Sequence, residues 1–301
     1  MADLKGVGRL GRAGKLLGAA AACAALLALG PLAAGAGAAK TRVAVGTTSL
    51  TGANMPGTAQ ANCPRGTVAI SGGFGQTPPA DLTSGHYVNV HDSHRFGARA
   101  WKVSGVQYGS ATSTLTAYAY CRAQKKPKQV VKSFPLLAAA RYEATAVATC
   151  PGGLHPISGG FTVPQLIGST STFLTQATIL GKHQWVVHGV RSSTSASSDG
   201  VVTAYAYCAK GKRPKAVTKT VAALSAITPK SPFTADTSGC PKGTHAISGG
   251  LRAPYSQSGA NRGVPVVTDS LLIGSSWRVA ALPFGGADGI PISLSSIVYC
   301  R

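Results

Sequence analysis

A twelve-residue segment occurs three times in this chain and decides its fold. The copies are CPRGTVAISGGF at residues 63–74, CPGGLHPISGGF at 150–161 and CPKGTHAISGGL at 240–251. Successive copies begin 87 and 90 residues apart. Self-similarity at a nearly constant spacing is typical of a chain built from repeated structural units. The sequence therefore predicts three units of similar fold.

Two further motifs recur in step with this segment. The first is a tryptophan with a valine two residues later, and it accounts for the only three tryptophans of the chain, Trp101, Trp185 and Trp277. The second ends each unit, as TAYAYC at 116–121 and 203–208 and as SSIVYC at 295–300. The same order of three motifs in every unit makes chance similarity an inadequate explanation.

The cysteines follow the same division. Apart from Cys23, the chain has six, and each repeat holds one near its start and one at its end, 58 or 60 residues later. An even number of cysteines in an exported chain favours disulfides over metal or redox chemistry. Pairing within each repeat is the most economical arrangement, and closing a loop of about 60 residues stabilises a small unit by roughly 4 kcal/mol. The predicted pairs are Cys63–Cys121, Cys150–Cys208 and Cys240–Cys300.

The residue pattern predicts strands throughout the repeats. Small and large residues alternate in 116–121, which places them on opposite faces of a strand. The strand candidates of the first repeat are 41–48, 67–74, 86–92, 99–106 and 113–121. The predicted fold is all-β, with three disulfide-closed repeats that form either separate sandwich-like modules or one pseudo-threefold, prism-like body. The Gly-Gly pair after each Ile-Ser predicts a bulge or a close approach of two backbones.

The first 39 residues have the features of a secretory signal peptide. Basic residues lie within 1–15, an uncharged apolar segment runs from Leu16 to Ala34, and small residues follow at 36–39. An uncleaved membrane anchor is the competing interpretation, although the segment is only weakly hydrophobic. We expect a secreted protein, extracellular or attached to the cell surface, with no membrane span once mature. Its parts are a signal peptide and three β repeats, at 1–39, 40–124, 125–211 and 212–301.

Charge is scarce in this chain and has mainly one sign. Of 301 residues, 12% are charged, with 29 Lys and Arg against 8 Asp and Glu. Loss of residues 1–39 removes four basic residues and one acidic residue, which leaves a net charge of +18. So few carboxylates argue against catalysis by a carboxylate pair and against a carboxylate metal cage. An excess this large attracts polyanions.

Many of the basic residues lie in the connections between repeats, directly after Cys121 and Cys208. Lysine and proline at the start of a strand also protect a sheet edge from unwanted pairing, an explanation that needs no ligand. No nucleic-acid recognition motif is present, so specific nucleic-acid binding is not expected. Anionic polymers and lipids of a cell envelope are the nearer targets. The predicted basic patch consists of Lys125, Lys126, Lys128, Lys132, Lys210, Lys212, Arg213, Lys215 and Lys219.

Two patterns with possible chemistry are interpreted as structural. Ser71-Gly72-Gly73 is similar to the stretch around a serine-protease nucleophile, but no histidine or aspartate recurs as its partner. His91 and His94 do not point to one face of a strand and recur in no other repeat. Asp92-Ser93 returns as Asp269-Ser270, which predicts a hydrogen bond at a turn or strand end. We therefore predict no enzyme activity, no cofactor and no metal.

The aromatic residues are candidates for binding. One tryptophan per small β unit usually fills the core, whereas an exposed tryptophan stacks on a sugar ring. Tyrosine alternating with alanine forms a wide stripe that suits either the core or a binding surface. In the third repeat Ile297 replaces the first tyrosine of the run, so part of that stripe is missing. The candidate binding residues are Trp101, Trp185, Trp277, Tyr118, Tyr120, Tyr205, Tyr207 and Tyr299.

The combination of C-P-x-G, a Gly-Gly strand, W-x-V and a terminal A-Y-A-Y-C resembles a repeat found in exported actinobacterial proteins. The resemblance extends over nearly the whole chain after residue 39. It implies export and a disulfide-closed β unit, and it implies no particular activity or ligand.

Together these patterns predict a secreted protein that binds and does not catalyse. The expected ligand is a cell-envelope glycan or an anionic wall polymer, which three similar repeats would hold with increased avidity. Two other classes remain open. One is a structural subunit of an extracellular assembly with a protein partner, and the other is a secreted inhibitor or competition factor.

Overall fold

Antiparallel strands form nearly all of the regular structure in this computed structural model. It describes residues 41–136, 143–165, 172–191, 200–258, 261–285 and 287–301, and the predicted signal peptide, 1–39, lies outside them. Alternating β-branched, aromatic and small residues favour strands over helices. The described residues contain no helix with the length and apolar character needed to cross a membrane.

Each repeat contributes six strands in the same order. The first has β1 (Arg42–Thr51), β2 (Met55–Asn62), β3 (Val68–Thr77), β4 (Val88–Phe96), β5 (Ala100–Gln107) and β6 (Thr112–Arg122). The second has β7 (Lys128–Leu136), β8 (Glu143–Thr149), β9 (His155–Thr162), β10 (Thr172–Leu180), β11 (Gln184–Arg191) and β12 (Gly200–Ala209). The third has β13 (Lys215–Leu224), β14 (Phe233–Asp236), β15 (Ala246–Arg252), β17 (Asn261–Ile273), β18 (Ser276–Gly285) and β19 (Pro291–Cys300), with the additional short strand β16 (Ser256–Ser258).

The first repeat contains the five predicted strands with shifted ends, and also β2, which the sequence pattern missed. The sequence of β2, MPGTAQAN, has no Val, Ile or aromatic residue, so propensity does not identify it. Glycines mark the corresponding turn of each repeat, between β4 and β5, between β10 and β11, and between β17 and β18. Gly97, Gly181 and Gly274 have φ values of 65°, 59° and 61° there, a left-handed conformation that favours glycine.

The strands form three six-stranded antiparallel sheets, each shared by two repeats. The first sheet has the order β1-β6-β3-β17-β18-β14, and β16 pairs with β17 at its side. The second has the order β2-β5-β4-β9-β12-β7, and the third β13-β19-β15-β10-β11-β8. The repeats therefore exchange strands in a cycle, first with third, second with first, and third with second. This is the prism-like body, and separate modules are not what the structure contains.

We call the line where two repeats meet within a sheet a seam. The seams lie between β3 and β17, between β9 and β4, and between β15 and β10. At each seam the second glycine of the Gly-Gly pair allows the backbones to approach. A Cβ at Gly73, Gly160 or Gly250 would come within 3 Å of a carbonyl oxygen of the neighbouring repeat. The predicted close approach is therefore confirmed, and it joins different repeats.

The first glycine of each pair makes room for a tryptophan of the same repeat. A Cβ at Gly72, Gly159 or Gly249 would collide with the indole of Trp101, Trp185 or Trp277, respectively. All three indoles are at most 2% exposed and belong to one continuous hydrophobic core. A bulge is also present in each repeat, but the strand register shifts at Ile70 and its counterparts in β9 and β15 and is regular at the Gly-Gly pair.

Three disulfides close the repeats internally, as the cysteine spacing predicts. The bonds are Cys63–Cys121, Cys150–Cys208 and Cys240–Cys300, with Cα–Cα distances of 5.6, 5.7 and 5.6 Å. Each bond joins the loop before the Ile-Ser-Gly-Gly strand to the last strand of its repeat. Three such bonds in one chain indicate an oxidising environment, as found outside the cell.

Candidate binding site

The serines of the Ile-Ser-Gly-Gly segments form a closed cycle of hydrogen bonds between repeats. The Ser71 hydroxyl donates to the Ile247 carbonyl and the Ser248 hydroxyl to the Ile157 carbonyl, both at 2.6 Å. Ser158 donates to the carbonyl of Ile70. All three serines are only 1% exposed. They tie each repeat to the next, in agreement with their interpretation as strand residues.

The tryptophans are core residues, so their selection as candidate binding residues is wrong. The Trp101 indole N–H donates to the Ser93 hydroxyl at 2.9 Å, and the Trp277 indole N–H to the Ser270 hydroxyl at 3.0 Å. Trp185 donates instead to the Gly160 carbonyl at 3.1 Å, because its repeat has Ala177 in place of the serine. The recurring Asp-Ser pair therefore supplies the acceptor that a buried indole requires.

The last tyrosine of each repeat is also buried, which corrects the selection of Tyr120, Tyr207 and Tyr299 as binding residues. Their exposed fractions are 1%, 0% and 2%. Each hydroxyl accepts a hydrogen bond from a backbone N–H across the seam, and each ring packs edge-on against a tryptophan of the neighbouring repeat. The three donors are Leu272 at 2.6 Å, Arg95 at 2.6 Å and Ile179 at 2.7 Å.

Burial determines how these hydroxyls titrate. It raises the pKa of Tyr120, Tyr207 and Tyr299 above the ordinary value of 10.0, and the backbone hydrogen bonds oppose this only in part. The hydroxyls therefore stay neutral at physiological pH and act as fixed links between repeats. Tyr118 and Tyr205 are half-buried and are the more accessible members of the predicted stripe.

The second seam is filled by long side chains. Arg95 is 2% exposed, lies 4.3 Å above the ring of Tyr207 and donates to the Pro127 carbonyl at 3.0 Å. Burial lowers the pKa of Arg95, against the opposing influence of Tyr207. One residue earlier, His94 stacks on Tyr205 with ring centroids 4.5 Å apart. Two stacked pairs therefore occupy this part of the second sheet.

A buried carboxylate supports the stacked histidine. Asp92 accepts hydrogen bonds from His94 and from Thr162, both at 2.7 Å, and pairs with the Lys102 ammonium at 3.1 Å. Burial alone would raise the pKa of Asp92, but the hydrogen bond and charge of His94, the Thr162 hydroxyl and Lys102 together lower it. No group of three or more metal-ligating side chains that could hold an ion occurs among the described residues.

The third seam has smaller side chains at the same positions and contains a cavity. Thr178 and Ile179 stand where the second seam has His94 and Arg95, and Ile297 stands where it has Tyr205. The resulting cavity has a volume of about 540 Å³. We call it the third-seam cavity, and its floor consists of Ile179, Ile297 and Tyr299. The replacement of tyrosine by Ile297, which the sequence pattern indicates as a loss, is thus part of what opens it.

Three cationic side chains line the third-seam cavity, and none of the lining residues, all of which the structure describes, is acidic. They are Arg213, Lys215 and Arg252, and each is exposed. Burial raises the pKa of Tyr299, and its hydrogen bonds with Thr178 and Ile179 and the positive charges of Arg252 and Arg213 oppose this only in part. The cavity therefore combines an apolar and aromatic floor with a cationic rim.

Sequence patterns identified only part of this site. The sequence predicts Arg213 and Lys215 in the basic patch and Tyr299 among the binding residues, but it does not indicate Arg252, whose counterparts in the other repeats are Thr162 and Gly75. A comparison of the repeats for departures from their shared pattern would have found it, since Arg252 and Ile297 both depart in the third repeat.

The predicted basic patch is exposed in full. Lys128 and Lys132 lie on β7, and Lys215 and Lys219 lie on β13; both strands are at the edges of their sheets. The other five residues lie in the connections before these strands. Within the described part of the chain, none of the nine forms an ion pair. Their charges are therefore available to a ligand and also discourage pairing at the sheet edges.

The sequence matches no protein-family model, and no curated protein is similar to it.

Proposed function

We propose that this protein is a secreted, non-catalytic binding protein that recognises anionic polymers of the cell envelope. The observation that carries the proposal is the basic patch, nine exposed cationic side chains that lie on β7 and β13 and in the connections before these strands. Within the described residues, none of the nine forms an ion pair. The three disulfides agree with an extracellular location. The N-terminal sequence agrees with export.

The repeated placement of the charge favours a polymer over a small free ion. Lys128 and Lys215 occupy matching positions, opposite Cys208 and Cys300 in the paired strands, and Lys132 and Lys219 follow four residues later in each case. A polymer with regularly spaced anionic groups could contact both sets at once, and two linked contacts bind more tightly than one.

Co-sedimentation with purified Gram-positive cell envelope tests the proposal. We expect the mature protein to be retained at about 50 mM salt and largely released at about 500 mM, because exposed charge contacts are screened. Replacing Lys125, Lys126, Lys128 and Lys132 with glutamine should markedly reduce retention at low salt.

The matched control removes the same charge from four exposed basic residues outside the patch: Arg65, Arg99, Lys182 and Lys242. It should retain most of the binding. Equal loss of retention in both variants would show that binding depends on net charge and not on the position of the basic patch. If the unaltered protein is not retained at either salt concentration, the proposal is contradicted and a protein partner is favoured.

A further inference from the structure

The third-seam cavity differs in chemistry from the rest of the basic surface. We propose that it is a binding site for one phosphate or carboxylate group carried on a sugar or polyol unit. The inference rests on the proposed function, since it names the unit of an anionic polymer that this cavity would hold.

The size of the cavity suits such a unit. About 540 Å³ lies within the usual range for small-molecule sites, roughly 300–1,000 Å³. It is much larger than the small cavity of about 30 Å³ enclosed by the three tryptophans and the Gly-Gly pairs. The third-seam cavity can therefore accept a ring or a short polyol together with its charged group.

The cationic rim of the cavity determines that the ligand is negatively charged. Arg213, Lys215 and Arg252 line the same cavity, and all three side chains are exposed. A guanidinium presents paired N–H donors that match the oxygens of a carboxylate or a phosphate. Because the cavity lining contains no acidic residue, these cations have no neutralising partner there, and an anion would provide one.

The apolar floor of the cavity favours an anionic group that belongs to an organic molecule with a C–H surface. The side chains of Ile179 and Ile297 offer an apolar surface to the C–H face of a sugar or polyol, and the buried Tyr299 closes the cavity beneath them. The exposed Thr218 adds a hydroxyl that can bond to the ligand's own hydroxyl groups. An inorganic anion would use the rim and gain nothing from the floor.

The other seams are not equivalent, so the site should occur once per chain. Arg95 and His94, stacked on Tyr207 and Tyr205, occupy the corresponding region of the second seam. The first seam has Gly75 in the position of Arg252 and Tyr118 in the position of Ile297. Among the described residues of the three repeats, we therefore expect this combination of rim and floor at the third seam alone.

Titration of the mature protein, followed by NMR, tests the site. The probes are glycerol 3-phosphate and glucuronate, with glycerol and glucose as their uncharged counterparts. We expect saturable binding of at least one charged probe at one site, weaker binding of inorganic phosphate, and none of the uncharged compounds. The stronger charged probe identifies phosphate or carboxylate as the preferred group. A Kd above about 10 mM for both charged probes would overturn the inference.

Two pairs of variants separate the cavity from the general positive field. Ile179→Arg copies the side chain that fills the second seam and adds one positive charge, and Ala222→Arg adds the same charge at an exposed position of β13 outside the cavity. We expect at least tenfold weaker probe binding for the first and little change for the second. Tighter binding by Ile179→Arg would show that charge alone attracts the probe and would overturn the inference.

The second pair covers the case in which Ile179→Arg does not fold. Arg252→Ala changes an exposed side chain of the rim, and Arg65→Ala is its control outside the cavity. We expect a tenfold loss for the first variant and none for the second, and equal effects would overturn the inference. Envelope retention without probe binding would overturn the cavity inference alone. Probe binding without envelope retention would overturn the proposed polymer function alone.

Discussion

The second and third seams have the same backbone arrangement and different contents. In both, a buried tyrosine hydroxyl accepts a backbone N–H from the neighbouring repeat, Tyr207 from Arg95 and Tyr299 from Ile179. The second seam is then filled by stacked side chains, whereas the third retains a cavity of about 540 Å³. The link between repeats is therefore independent of what occupies the surface beside it, and the filled and open seams differ at three neighbouring positions, where Thr178, Ile179 and Ile297 replace His94, Arg95 and Tyr205.

The filled seam carries an energetic cost that the open one avoids. Two nitrogen atoms of the Arg95 guanidinium, Nε and Nη1, are buried without a hydrogen-bond partner among the described residues. An unpaired buried donor costs about 1–3 kcal/mol, and the contact with the Tyr207 ring returns part of it. A small side chain such as Ile179 removes this cost and leaves space that a ligand can fill.

The largest expected effect tests whether the two seams share one scaffold. Trp101→Ala and Trp185→Ala each remove an indole that packs against the seam tyrosine, and each should lower the free energy of unfolding by about 3–5 kcal/mol. Urea denaturation with intact disulfides measures both. Because the scaffold is the same, the two losses should be similar. The exposed Phe96 provides a control, since Phe96→Ala should have little effect.

A difference of more than about 2 kcal/mol between the two tryptophan variants would show that the seams are not equivalent in stability. The second and third seams would then differ in the packing of the tryptophan core as well as in the side chains that cover it.

A smaller effect distinguishes the seams from each other. Tyr207→Phe and Tyr299→Phe remove the acceptor of a buried backbone N–H, which should cost about 1–3 kcal/mol of unfolding free energy. Tyr299→Phe also removes a hydrogen bond with the Thr178 hydroxyl at 2.6 Å, but water in the third-seam cavity can pair with both groups that lose the tyrosine hydroxyl, so Tyr299→Phe should cost less than Tyr207→Phe. Tyr205→Phe serves as the control, because the Tyr205 hydroxyl is part of a half-buried contact at 3.3 Å to Thr162 and should contribute below about 1 kcal/mol. A larger loss for Tyr299→Phe would contradict water access to the cavity.

Much of the fold could be predicted because the relevant signals are local. The spacing of Cys63 and Cys121 and its repetition predicted all three disulfides. The Gly-Gly pairs predicted the close approach at the seams, since only glycine leaves room for a carbonyl oxygen at Gly73 or an indole at Gly72. The residues that reveal these features are neighbours in the sequence or recur at nearly the same spacing, even though the contacts themselves reach other strands.

The exchange of strands between repeats could not be predicted, because strand alternation identifies a face and not the neighbouring strand. The role of Tyr207 depends on a backbone N–H at Arg95, 112 residues away in sequence. The cavity depends on volume that is missing at Ile179 and Ile297, which come from different repeats. Features of this kind arise from the packed arrangement of several segments and have no local pattern.

The smallest expected effect extends the comparison to two buried carboxylates at matching positions, Asp92 at the second seam and Asp269 at the first. The interactions of Asp92 with His94, Thr162 and Lys102 overcome the effect of burial and lower its pKa. Burial raises the pKa of Asp269, and its hydrogen bonds with Gln76 and Thr268 oppose this only in part. The carboxylates at these two matching positions therefore contribute to stability in opposite ways.

The signs follow from these directions. A lowered pKa in the folded state means that Asp92 stabilises the fold above its ordinary value of 3.8, and that this contribution is lost as the pH falls through the lowered pKa. The raised pKa of Asp269 means that its contribution is present below 3.8 and is lost as the pH rises through the raised pKa. Asp92→Asn should therefore cost about 1–2 kcal/mol at neutral pH, because it removes charge-assisted hydrogen bonds.

Asp269→Asn should change stability at neutral pH by less than about 1 kcal/mol, since it exchanges a buried charge for a neutral acceptor. Urea unfolding between pH 3 and 7 compares the two variants with the unaltered protein. The deficit of Asp92→Asn should shrink as the pH falls below about 4, whereas Asp269→Asn should gain stability relative to the unaltered protein as the pH rises from about 4. Parallel pH profiles for the two variants would mean that the first and second seams hold their carboxylates alike, against the opposite pKa directions of Asp92 and Asp269.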